Sequence, residues 1–313
     1  MAFEIPKLNY TGAIREIKLG RSGDVAVGGE TAYPFYLFEG EMPNQPKIAM
    51  EVYDAPPEED DDISFAPFKD VVGDPVAWAK MNVEKFGADM IALQLISADP
   101  NGLNRDGDQA AATAKAVAQA VDVPVIVYGT GDKDKDIEVL RKVAEECEGL
   151  NLIIGPTLEG NHKQIAAPCI GYRHTVAATS PIDINLAKQL NILLGNLGVR
   201  EDGIIIDPTT GGLGYGIEYT YSIMERIRMA ALAQQDDQLK YPILCDLGKE
   251  VWKSKEARMG GDDARYGDPA KRGIVMEAVT AVLMLISGAD ILVMRHPEAV
   301  ALVKKFLKEF SGK

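Results

Sequence analysis

The chain has 313 residues, of which 46% are apolar, and a formal charge of −14. Its length suits two domains or one (β/α)8 barrel of about 250 residues with an extension. The acidic balance argues against nucleic-acid binding, which needs clustered Lys and Arg, and no apolar run reaches the ~18 residues of a membrane span. Glu4, Pro6 and Lys7 interrupt the N-terminus where a signal peptide needs its apolar stretch, so the expected compartment is the cytoplasm. Cys147, Cys169 and Cys245 lie far apart with no C-x-x-C pair. They read as reduced thiols that cannot alone hold an iron–sulfur cluster or a structural zinc.

Residues 1–46 are strand-like and punctuated by glycine (VAVGGETAYPFYLFEG). They are expected to form an N-terminal extension that packs on the bottom of a barrel, or on a partner, with the barrel itself spanning 47–313. From Lys47 onward, short β-branched runs alternate with helical patterns. The runs are KIAMEV, MIALQL, PVIVYG, LNLIIG, TVAAT, GIIID, PILCD and ILVM, beginning at Lys47, Met90, Pro124, Leu150, Thr175, Gly203, Pro242 and Ile291. Their near-continuous apolar character is that of parallel strands buried on both faces. Between them, Pro75 opens a helix, Asp106–Val121 is Ala-rich, and a third helix runs from near Asp132 to Gly149. In SPIDINLAKQLNILLGNLG, Asp183 caps a helix whose apolar face is Ile184, Ala187, Leu190, Ile192 and Leu194, and Gly198 ends it. Pro297 opens the last helix. Eight β-then-α units close into an α/β (β/α)8 TIM barrel. The competing doubly wound sheet lacks support, because the acidic, Pro-rich YDAPPEEDDD follows the first run where G-x-G-x-x-G would be needed.

In a barrel the loops after the strands form the functional face. The most informative is DPTTGGLGYGIEY, where Asp207 ends the sixth run and Gly211, Gly212, Gly214 and Gly216 follow within a few residues. Such glycine density permits close backbone approach to a large planar or anionic ligand. The acidic run Glu58–Asp62 reads as a solvated loop, since consecutive carboxylates repel. His162, His174 and His296 are dispersed; His174 reads as structural at a strand start, whereas Arg295 and His296 end the eighth run on the functional face. No G-x-S-x-G elbow supports acyl transfer. No run ends in a lysine as an aldolase-like barrel requires, Lys249 being the nearest.

The strings DPTTGGLGYGIEYTYSIMERIRMAAL, SPIDINLAKQLNILL, EVYDAPP and ILVMRHPEAV closely resemble the small subunit of the corrinoid/iron–sulfur protein, and the likeness covers nearly the whole chain. That resemblance implies a heterodimer in which a cobamide lies between this barrel and a large subunit that carries the [4Fe–4S] cluster. It further implies a methyl carrier of the reductive acetyl-CoA pathway, loaded by a methyltetrahydrofolate-dependent methyltransferase and discharged to acetyl-CoA synthase. The barrel is then a non-catalytic cap, with Asp207, Thr209, Gly211, Gly212, Gly214, Tyr215, Arg295 and His296 facing the cofactor. The alternative is a pterin-dependent corrinoid methyltransferase using Asp207. Against it, the fourth run ends in Gly155-Pro156-Thr157, where the Asp and Asn of pterin barrels are expected, and the seventh ends in Cys245-Asp246-Leu247-Gly248, with no Asn. No D-x-H-x-x-G motif supplies a lower cobalt ligand.

Overall fold

A computed structural model describes residues 4–57, 63–261 and 264–310, so the Glu58–Asp62 run lies outside the described residues. An antiparallel hairpin of β1 (Ile17–Leu19) and β2 (Val25–Val27) precedes the barrel. The barrel strands are β3 (Lys47–Tyr53), β4 (Met90–Gln94), β5 (Val125–Tyr128), β6 (Ile153–Thr157), β7 (Thr175–Thr179), β8 (Ile204–Asp207), β9 (Leu244–Asp246) and β10 (Ile291–Met294). They pair in parallel from β3 round to β8, and β10 joins β3 to β9. A parallel bridge from Ile206 to Ile243 closes the ring. Each of the eight apolar runs thus supplies one barrel strand.

Ten helices among the described residues cover the ring: α1 (Pro75–Glu84), α2 (Gly107–Ala120), α3 (Lys133–Glu146), α4 (His162–Tyr172), α5 (Ile184–Leu197), α6 (Ile217–Ala233), α7 (Gly248–Lys253), α8 (Lys255–Arg258), α9 (Pro269–Ile286) and α10 (Pro297–Phe310). Aspartate caps start several of them. The Asp183 carboxylate accepts from the amides of Asn185 and Leu186 at 2.7 and 3.1 Å, and Asp106 accepts from Gln109 at 2.8 Å. Gly198 ends α5 in the left-handed region, at φ +95°. The apolar face of α5 differs from expectation at one position. Ala187, Leu190, Asn191 and Leu194 are buried, whereas Ile192 is 40% exposed. At 3.6 residues per turn, 187, 190, 191 and 194 share one stripe and 192 lies off it. Asn191 is tolerated inside because its Nδ2 donates to the Gln238 carbonyl at 2.7 Å.

Alternate strand residues divide the core. Ile48, Met50 and Val52 of β3 pack outward on helices. Ala49, Met90, Ile126, Ile153, Ala177, Ile205, Leu244 and Ile291 point inward, where Ile17, Leu19 and Val27 of the hairpin join them, each at most 1% exposed. The hairpin therefore plugs the lower end of the barrel. Each plug side chain contributes about 2 kcal/mol of apolar burial. With the lower end closed by apolar packing, the polar inward positions collect at the upper end.

Candidate functional site

The last inward-facing residue of successive strands is polar: Glu51 and Tyr53 on β3, Gln94 on β4, Tyr128 on β5, Thr179 on β7, Asp207 on β8 and Asp246 on β9. Strand ends meet at the barrel mouth, so these groups converge although they are remote in sequence. Gln94 Nε2 donates to Asp246 Oδ2 at 3.1 Å. The Lys249 ammonium, at the start of α7, stands 2.6 Å from the same oxygen and 5.3 Å above the Tyr128 ring. Burial pulls the Lys249 pKa down, but Asp246 more than offsets this and holds the amine protonated above its ordinary value. The ammonium is thereby held in an ion pair with Asp246.

Asp207 is 4% exposed and its carboxylate is engaged within the chain. Oδ1 accepts from the Thr209 amide at 2.9 Å, and Oδ2 accepts from the Tyr128 and Thr179 hydroxyls, both at 3.1 Å. Arg295 is equally committed. Its Nε donates to Glu51 at 2.7 Å, its Nη1 to Ser64 at 3.3 Å and its Nη2 to the Tyr53 hydroxyl, and the guanidinium lies 4.7 Å from the Phe65 ring centre. Burial would lower the Arg295 pKa, but the Glu51 carboxylate keeps the guanidinium charged. His296, one residue on, packs its ring on Trp252 of α7 at 6.0 Å, and its Nδ1 accepts from the Glu298 amide.

A cavity of about 450 Å³ opens over the ends of β3, β4, β5 and β10. Tyr53, Phe65, Ile96 and Leu103 form its apolar wall, and Gln94, Lys249, Lys253 and Arg295 its polar side. Its size is that of a small-molecule pocket. Of the site residues expected from sequence, only Arg295 lines it.

The remaining candidates form a separate surface on the loop after β8. Tyr215 is 93% exposed. Thr209 and Gly214 adopt left-handed backbone, at φ +62° and +83°. A side chain at Gly211 or Gly214 would enter open space, whereas one at Gly212 would meet the Gly216 carbonyl at 2.9 Å and Thr220 Oγ1 at 3.0 Å. Gly212 is thus required by the loop's own packing, and Gly211 is the freely presented glycine.

The three histidines are all buried and bonded to backbone. His162 Nδ1 is 2.6 Å from the Glu159 carbonyl, and His174 accepts from the Leu152 amide at 3.0 Å while its Nε2 faces the Ala144 carbonyl at 2.9 Å. All three cysteines are buried too, and burial pushes the Cys147 and Cys169 thiols up to about 12. Among the described residues, no group of three or more His, Cys, Asp or Glu is placed to hold a metal ion.

Glu277 of α9 organises the Arg295–His296 corner. Its carboxylate accepts from the Arg295 amide at 2.5 Å, the His296 amide at 3.1 Å and Trp252 Nε1 at 2.9 Å. Complete burial outweighs these donors and pushes its pKa up from 4.5 to about 7. A raised carboxyl favours the folded state while protonated. Its stabilisation, about 3 kcal/mol, is therefore complete below about pH 4.5 and is lost as pH rises through about 7. Glu277→Gln is expected to flatten that part of the stability profile. Urea titrations between about pH 5 and 8 check this, and an unchanged slope in the variant would reject the assignment.

Comparison with known proteins places this geometry in context. Residues 16–307 match the family model described as CO dehydrogenase/acetyl-CoA synthase delta subunit. The chain is 38% identical over 322 residues to the acetyl-CoA decarbonylase/synthase complex subunit delta 1 of Methanosarcina thermophila, covering 97% of this chain and 72% of that protein. It is 37% identical to the delta subunit of Archaeoglobus fulgidus, with coverage of 99% and 71%. Among solved structures, dihydropteroate synthase of Xanthomonas albilineans superposes with a TM-score of 0.58 at 13% identity, over 87% of this chain and 94% of that one. The Thermus thermophilus enzyme gives 0.58 at 17% identity, over 95% and 99%. At such identities the structural likeness speaks for the barrel fold alone.

Proposed function

Because the chain belongs to the CO dehydrogenase/acetyl-CoA synthase delta subunit family, we propose that it is the small, non-catalytic subunit of a heterodimeric corrinoid/iron–sulfur methyl carrier. The family match over residues 16–307 carries this reading. The partner is a large subunit that holds the cobamide and the [4Fe–4S] cluster. A methyltetrahydrofolate methyltransferase loads the methyl group, acetyl-CoA synthase receives it, and the assembly works in the cytoplasm.

The residues present suit a cap. The loop 209–216 offers open glycine backbone at exposed Gly211 and Gly214 with Tyr215 projecting beside it, a surface fitted to close contact with a broad, amide-edged macrocycle. When bound, the cobamide supplies a strongly nucleophilic, reducing cobalt that accepts and releases methyl. The chain's part is to exclude water over that centre with backbone and apolar groups, and to yield when donor or acceptor approaches. Each of the three histidines is buried and bonded to backbone. The engagement of Asp207 by three donors of its own chain speaks against the pterin-dependent methyltransferase alternative.

The test is metal and cobamide content of the isolated chain beside the co-expressed heterodimer. The isolated chain is expected to bind no stoichiometric iron and to lose added cobamide on gel filtration, whereas the heterodimer keeps both. Stoichiometric cobamide on the isolated chain, or its tight binding of methyltetrahydrofolate, would overturn the reading.

A further inference from the structure

Thr209, at the root of the loop after β8, keeps left-handed backbone at φ +62°, which a branched residue abandons unless its surroundings enforce it. Two side-chain bonds do so. The Thr209 amide donates to Asp207 Oδ1 at 2.9 Å, and the Thr210 hydroxyl donates to the Asp246 carbonyl. The backbone adds the Ile182 amide, which donates to the Pro208 carbonyl at 3.0 Å. The loop root therefore hangs on two aspartates that end adjacent barrel strands, each 4% exposed. Two carboxylates at that depth repel each other and need a counter-charge.

Lys249 supplies it. Its ammonium stands 2.6 Å from Asp246 Oδ2. Burial opposes that charge, but Asp246, Asp207 and Glu51 together keep it. Glu51 has a partner of its own in Arg295, at 2.7 Å. Beside Asp207 stand the Tyr128 and Cys245 side chains, which burial keeps protonated, and the Thr179 hydroxyl. Burial pushes the Asp207 pKa up, the Thr209 amide pulls it down, and Asp246 and Lys249 act in opposite directions. Without the ammonium, Asp207 moves towards protonation, and a neutral carboxyl accepts the Thr209 amide more weakly than a carboxylate does. Asp246 is then left with Gln94 on Oδ2 and with a buried Oδ1 that has no partner.

We propose that Lys249 is a positioning residue: as the counter-charge of Asp207 and Asp246, it holds the loop 209–216 in the shape that faces the cofactor. Lys249 lines the cavity at the barrel mouth and acts on the loop through the two aspartates. The inference rests on the carrier reading and gives a role to a residue which that reading leaves unused.

The test follows backbone hydrogen exchange of the whole chain at neutral pH. In Lys249→Met the amides of 209–216 are expected to exchange at least about tenfold faster, with those of β3, β4 and β5 unchanged, because the opening is local. Lys249→Met/Asp246→Asn removes both charges and is expected to restore wild-type exchange, the non-additivity of one network. In the co-expressed heterodimer, single-turnover methylation is expected to fall at least about tenfold in Lys249→Met at unchanged cobamide content, and to recover in the double variant. Unchanged loop exchange in Lys249→Met overturns the proposal. So does equal acceleration throughout the barrel, which makes Lys249 a residue of stability alone. Where Lys249→Met does not fold, the double variant decides: a wild-type loop supports the proposal, and a loosened or unfolded one overturns it. A loosened loop with normal methyl transfer overturns the positioning role. A wild-type heterodimer without cobamide ends the carrier reading instead.

Discussion

Gly211→Val is expected to leave the protein folded and to lower methyl transfer by the reconstituted carrier on the order of 100-fold, because small displacements of reacting groups are expensive. The position separates function from folding. Gly211 is exposed, its backbone lies outside the left-handed region, and a side chain there meets only Thr209 Oγ1 at 4.0 Å. Valine therefore adds bulk to the loop surface without straining the loop. The neighbouring glycines do not allow that separation. A Cβ at Gly212 collides with the Gly216 carbonyl at 2.9 Å, and Gly214 holds φ +83°, which costs a branched residue roughly 1–2 kcal/mol. The control is Ala177→Leu on the inward face of β7, fully buried. Overpacking there costs about 1–3 kcal/mol with no selective effect on transfer. Circular-dichroism melts and single-turnover methylation of the heterodimer are the measurements. Normal transfer with normal cobamide content in Gly211→Val would remove the loop from the cofactor surface.

The largest loss of stability is expected at the opposite end of the barrel. Arg228 of α6 is 1% exposed. Its Nε and Nη2 donate to the Gly288 carbonyl at 3.0 and 2.5 Å, its Nη1 donates to the Tyr241 carbonyl at 3.2 Å, and Nη2 also pairs with Asp290. Asp290 in turn accepts from the Ile243 amide at 2.6 Å. Glu30 of the extension sits against this pair, its carboxyl pushed well up by burial and by the Asp290 charge. Arg228→Met leaves Asp290 a buried anion without its counter-charge and strips two carbonyls of donors, a loss of about 3–5 kcal/mol. Adding Asp290→Asn is expected to recover part of that loss, because the two sites share one network. Urea unfolding of the single and double variants checks both statements. A loss below about 1 kcal/mol for Arg228→Met would show that the pair is dispensable.

The barrel was legible because a strand buried on both faces has no choice of residue. KIAMEV, MIALQL and ILVM each read as near-continuous apolar runs, and each became a strand of the ring. Helix starts were legible where one atom decides them, as at Asp106, Asp132 and Asp183, whose carboxylates accept first-turn amides. The polar inner layer was not. Gln94, Tyr128 and Asp246 are single polar residues in different runs, and only closure of the ring brings them to Lys249. Their signal is a polar residue at the last inward position of their own strands, which needs register as well as run length. Ile192 was misplaced for a related reason, since an apolar residue one position off the stripe reads the same in composition. The apolar outer face of α9 was visible in GIVMEAVTAVLMLI, but nothing in a string tells which of its sides the barrel covers.

The hairpin that plugs the barrel raises the sequence separation of the contacts the fold must close. Ile17, Leu19 and Val27 rest on side chains from as far along the chain as Ile291 and Val293. The amides of Thr11 and Gly12 donate to the Leu232 carbonyl, and that of Arg15 to the Lys240 carbonyl. These contacts therefore form only once Ile17 and Ile291 have been brought together. Closing contacts of such sequence separation slows folding.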